Sequence, residues 1–184
     1  MKYFYSDPCL ALLFYFDVVN RKEFCYEIGI PLIITSALGI CLWQHYDVEV
    51  IKGILEAVLD LYAILVGFTI TTISIFLTSD TNKIAVLNKK SGRTIREKEI
   101  PYYQLIHLLL IYSIIIGLLI IGAIVIVLIL SDIVNDDTVK DIKIIKILYK
   151  GMFYLIIFGT FHNILLTIRN ITNFYFIYFN KFEK

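Results

Sequence analysis

Glu49–Thr78 reads EVIKGILEAVLDLYAILVGFTITTISIFLT, and Ser79–Pro101 behind it reads SDTNKIAVLNKKSGRTIREKEIP. Taken as one helix, the first stretch puts Glu49, Gly53, Glu56, Asp60, Ala63, Gly67, Thr71, Ser74 and Thr78 on one face. Their spacing alternates between three and four residues, the period of a helix and not of a strand. Every residue of that face is acidic, small or hydroxylated, while the rest of Leu61–Leu77 is mostly apolar. At about 1.5 Å per residue the helix runs ~45 Å, more than the ~30 Å hydrocarbon core of a bilayer. Its acidic end is therefore expected to stand outside the membrane.

Working outward, the chain has 184 residues, 59% of them hydrophobic, and a mean hydropathy of +0.79. Ordinary soluble domains do not have this make-up, and the apolar residues are gathered into long runs. The expected fold is all-α: a four-span transmembrane helical bundle forming one integral membrane domain over residues 1–184. The spans are expected at 24–43, 61–78, 105–130 and 147–168, with residues 1–23 as a cytoplasmic, interfacial N-terminus. Within that N-terminus, Cys9–Val19 is too short to cross and carries Asp17, so it is expected to lie flat on the surface. Pro31 is expected near the start of the first span, where a missing N–H costs least. Trp43 suits the interfacial aromatic belt. The tail NFYFIYFNKF is expected to extend the last span along the interface.

Charge sets the orientation. Twelve Lys and Arg fall on the side of both termini and the 79–101 loop, against five on the other side. By the positive-inside rule both termini and the 79–101 loop are cytoplasmic. The acidic cluster Asp132, Asp136, Asp137 and Asp141 then faces outward with Glu49, Glu56 and Asp60.

Two features carry functional readings. The first is the polar face of the second helix. It either packs against neighbouring helices or lines an aqueous path through Glu56, Asp60, Ala63, Gly67, Thr71, Ser74 and Thr78, whose outer acids favour cations. Four spans in so small a chain cannot enclose a pore alone, so the second reading requires a homo-oligomer, with a tetramer as the starting expectation. The second feature is the basic loop, a topology signal that touches anionic lipid heads or a phosphate site built from Lys83, Lys89, Lys90, Arg93, Arg96 and Lys98.

The remaining polar residues have plainer expectations. His162-Asn163 inside the fourth span is expected to bond across to another helix, with a proton relay as the alternative. Glu23 and Glu27 are expected to pair with Arg21, Lys22 or the loop bases. Ser113 and Gly117 form a small-x-x-x-small pair suited to helix packing. Three scattered histidines and three cysteines without a C-x-x-C pair make no metal site. No P-loop, nucleophile elbow or H-E-x-x-H occurs, so neither an enzyme nor a cofactor is expected.

The segment LYAILVGFTITTISIFLTSDTNK, the basic loop and the span count together resemble the compact four-helix bacterial membrane effectors found beside nucleotidyltransferases in anti-phage defence, of the Hailong type. The resemblance rests on Leu61–Lys90 and on size. It implies a pore-forming or membrane-disrupting effector in the inner membrane, opened by a nucleotide or oligonucleotide from a partner nucleotidyltransferase. The alternative is a membrane anchor or accessory subunit that scaffolds a larger complex.

Overall fold

The computed structural model describes residues 6–42, 48–78, 87–134 and 143–179. In chain order these form α1 (Ser6–Val18), α2 (Arg21–Leu42), α3 (Val48–Thr78), β1 (Lys90–Ile95), β2 (Lys98–Pro101), α4 (Tyr102–Val134) and α5 (Lys143–Phe179). Helices α2 to α5 are each long and apolar enough to cross a membrane, so this is a multi-pass membrane protein. Trp43, His45, Lys83, Asp136, Asp137 and Asp141 lie outside the described residues.

α3, α4 and α5 share the main core, in which Leu55, Tyr62 and Val66 meet Ile120, Ile124 and Val127 with Tyr149, Phe153 and Ile156. The hydroxyl of Tyr62 reaches across to donate to the Gly159 carbonyl at 3.3 Å. α2 is attached through α5, and α1 packs on α4 and on β1, burying Ala11, Tyr15 and Val18. α1 is therefore held by the protein, while its Leu13 and Phe16 stay exposed. The expected Ser113/Gly117 pair lies in the core. A Cβ on Gly117 would lie 2.7 Å from Val66 Cγ2 and 3.3 Å from Asn163 Nδ2, so only glycine lets α3, α4 and α5 approach this closely.

The structure corrects two of the expectations. First, the fold is not purely helical: part of the 79–101 loop is an antiparallel hairpin, β1 with β2. Its two-residue turn is Arg96-Glu97, both at positive φ (46° and 68°), and Gly92 at φ 71° sits where the register shifts between Lys90 and Arg93. The hairpin base caps α4. Its Lys89 and Leu87 carbonyls accept the Tyr102 and Tyr103 N–H groups at 3.1 Å each, donors that a helix start otherwise leaves unmet.

Second, Pro31 is mid-helix. α2 begins at Arg21 because Asn20-x-x-Glu23 closes a capping box, with the Asn20 N–H donating to Glu23 Oε2 at 3.1 Å. As far as Phe179 the aromatic tail continues the last span, as expected. α5 is one helix from Lys143 to Phe179, 37 residues or about 55 Å.

Gly117→Ala is expected to cost about 1–3 kcal/mol by overpacking against Val66, lowering the midpoint of thermal unfolding in detergent. Gly67→Ala, where no atom lies within 4 Å of the added Cβ, is expected to leave the midpoint unchanged or raise it, since alanine is favoured over glycine in a helix by up to ~1 kcal/mol.

Candidate functional site

The polar face of α3 is turned away from the protein's own helices. Each of its nine residues from Glu49 to Thr78 is exposed. The covered side of α3 carries Ile51, Leu55, Tyr62, Val66, Thr69 and Phe76, which at ~100° per residue points about 150° from the polar face. Gly53 and Gly67 have open space where a side chain would be. The close-packing reading therefore finds no partner helix among the described residues of the protomer.

The hydroxyls of that face serve their own helix. Thr71 donates to the Gly67 carbonyl at 2.9 Å, Ser74 to Ile70 at 3.0 Å and Thr78 to Ser74 at 2.9 Å. Their donors are used within the helix, so what they present outward is oxygen lone pairs. At the far end from the hairpin, Glu56 and Asp60 continue the face, and Lys52 pairs with Asp132 at 3.0 Å.

The basic residues of the loop are spread over several jobs. Lys83 is outside the described residues. Lys90 pairs with Glu99 at 3.0 Å, Arg96 lies over the Phe14 ring at 5.1 Å, and Lys89 and Lys98 are exposed. Arg93 turns inward to the Glu23 carboxylate. Glu23 thus pairs with a loop base, one of the partners expected for it.

Inside the bundle lies a polar cluster. Glu27 accepts Arg169 Nη1 at 2.8 Å, their side chains 6% and 16% exposed, and it also accepts the Tyr15 hydroxyl. Pro31 has no N–H to offer the Glu27 carbonyl four residues back, and His162 Nδ1 takes that place at 2.9 Å. A carbonyl only accepts, so Nδ1 carries the hydrogen, and the Tyr112 hydroxyl donates to Nε2 at 3.2 Å. His162 is bonded to α2 and α4, while the Ser113 hydroxyl donates to Asn163 Oδ1 at 2.7 Å. Both residues bond across to other helices, the plainer of the two readings.

Arg169 and Tyr15 were not legible as cluster members. Arg169 reads in sequence as one more topology charge. The usable signal was the pair of acids Glu23 and Glu27 one turn apart on an apolar helix, which demands cations nearby. No group of metal-ligating side chains occurs among the described residues. No protein-family model, curated protein or solved structure matches the chain.

Removing one partner of a buried ion pair leaves the other charge stranded. Arg169→Gln is therefore expected to lower stability by about 3–5 kcal/mol, measured by denaturant or thermal unfolding in detergent. Tyr15→Phe is expected to cost about 1–3 kcal/mol, because Glu27 loses a donor. Burial, and then the bond to Glu27, push the Tyr15 hydroxyl above its ordinary range, near pH 10. Its contribution is thus complete below about pH 10 and drains as the pH climbs toward the higher folded value. The stability gap between the natural chain and Tyr15→Phe is expected to hold steady at neutral pH and to narrow in alkali.

Proposed function

We propose that the protein is a homo-oligomeric membrane channel whose path is lined by the outer face of α3. The observation that carries this reading is that a continuous acidic, small and hydroxylated face, exposed from end to end, is covered by none of the chain's own helices. Lipid cannot satisfy such a face, and intramembrane polar residues turn to protein or water. Copies of α3 around an axis supply both. Four copies are the working stoichiometry. The hydroxyl lone pairs of Thr71, Ser74 and Thr78, with Glu56 and Asp60 at one mouth, favour cations. The Lys and Arg balance puts the hairpin end in the cytoplasm.

The resemblance to Hailong-type effectors adds the setting: a bacterial inner membrane, an anti-phage role, and opening by a nucleotide or oligonucleotide from a partner nucleotidyltransferase. Lys89, Lys90, Arg96 and Lys98 are exposed bases of the hairpin region that such a signal would meet. Opening would run down ion gradients and arrest the infected cell.

In liposomes carrying the purified chain, ion flux is expected once the trigger is supplied, with cations preferred. Thr71→Leu and Ser74→Leu are expected to cut the flux at least tenfold, and a Glu56→Lys, Asp60→Lys double variant to reverse the preference. Flux that is indifferent to all four substitutions would remove α3 from the path. No flux with any trigger, together with loss of a co-purifying partner on Ser74→Leu, would make the chain a membrane anchor instead.

A further inference from the structure

The geometry points to a phosphate-ester site between the hairpin and the helices, built on Arg93 and Arg169. Both guanidinium groups line one cavity of about 210 Å³, whose wall continues through Val18, Val19, Leu105 and Glu23. Each arginine spends one edge on carboxylates: Arg93 Nη2 on Glu23, Arg169 Nη1 on Glu27 and, at 3.6 Å, on Glu23. The remaining edges are not spent. Arg93 Nη1 and Arg169 Nε and Nη2 are buried and meet no acceptor among the described residues.

Buried N–H groups left unmatched are costly, and the great majority in folded proteins have a partner. Two arginines on the wall of one cavity suit a tetrahedral oxyanion, the geometry for which arginine is best fitted, once a small turn of each fork brings its unmatched N–H groups from behind the wall to the ligand. The two carboxylates neutralise the arginines only in part of their reach. They also limit the ligand charge, which favours a singly charged phosphodiester. Arg21 and Lys22, beside Glu23 on α2, are exposed and make no ion pair among the described residues, adding positive potential at the rim.

Size narrows the class further. At about 210 Å³ the cavity falls below the ~300 Å³ at which pockets for whole drug-sized molecules begin. A headgroup-sized ester fits, with its carbon stem against Val18, Val19 and Leu105. The same chemistry is offered by a phospholipid head and by a free phosphate. The site does not depend on α3 lining a channel, and each can fail without the other.

The test uses the full chain in maltoside detergent, with two probes. Phosphatidylglycerol is added and its retention read by native mass spectrometry. Separately, inorganic phosphate is titrated at constant ionic strength and thermal unfolding is followed. Retained lipid assigns the lipid head, and stabilisation by phosphate without retained lipid assigns the soluble ester. In either case Arg93→Gln, which spares the Glu27–Arg169 pair, is expected to weaken binding roughly tenfold. Val19→Trp, which fills the cavity and touches no charge, is expected to abolish it. Lys98→Gln, on the exposed hairpin, is expected to change it less than twofold. Binding of neither probe overturns the site. So does binding that Val19→Trp leaves intact, or that Lys98→Gln weakens as much as Arg93→Gln.

Discussion

Glu27 is the residue on which the arrangement of the helices turns. Between helices in lipid there is little hydrophobic drive, because lipid tails are as apolar as leucine, and association falls to packing and polar contacts. Most of the surface of α2 is uncovered, so its attachment needs something besides apolar area. Glu27 supplies it twice. Its carboxylate takes Arg169 and Tyr15, and its carbonyl, released by Pro31, takes His162. One turn toward the hairpin, Glu23 does the same for Arg93. Two acids on one face of α2 thus tie together α1, α2, α5 and the hairpin. A charge this deep must be paired, which selects one packing of these elements over others that would bury as much apolar surface.

The chain treats its polar residues in two opposite ways. Those on α4 and α5, Tyr112, Ser113, His162, Asn163 and Arg169, face other elements of the chain and bond to them. The hydroxyls on the outer face of α3, Thr71, Ser74 and Thr78, bond to their own backbone. Gly117 and Gly67 mark the same contrast: a side chain on one would collide with Val66 and on the other would meet nothing. A small residue in a membrane helix lets another surface come close. For Gly117 that surface is within the same chain, and at Gly67 no described atom comes that close.

Much of this architecture was readable in the chain, for reasons that also explain the misses. Span number follows from apolar run length, since a bilayer sets a minimum that no loop here imitates. The face of α3 follows from spacing alone. The hairpin was hidden because its strands, KSGRTI and KEIP, are short and charged, and its turn is Arg-Glu where Asn-Gly is the usual signal. Arg96 is nonetheless braced, its guanidinium over Phe14. The placement of Pro31 was missed because the start of α2 was read from hydropathy. The Asn20-x-x-Glu23 box announces an earlier start, which moves Pro31 to where its missing N–H matters. Arg169 was beyond reach by any local rule: its partners lie on α2, more than 140 residues back in the chain.

The hairpin sits at a junction with the end of α3. Phe76, in the last turn of α3, packs with Leu87, Ile106 and Leu110, and the Leu87 carbonyl accepts the Tyr103 N–H. One short segment therefore touches the end of α3 and the start of α4 together, while Arg93, four residues beyond Lys89, is tied to α2. A ligand shifts a conformational equilibrium only by its difference in affinity for the two states. On the channel reading, an anion that pulls Arg93 off Glu23 loosens the hairpin from α2 but leaves its contact with α3 in place. Force applied at the hairpin then passes to Phe76 and Thr78, the end of the exposed face, without disturbing the acids at its other end. On the same channel reading, a trigger at the hairpin acts on one mouth of the path, and the acids at the other mouth decide selectivity.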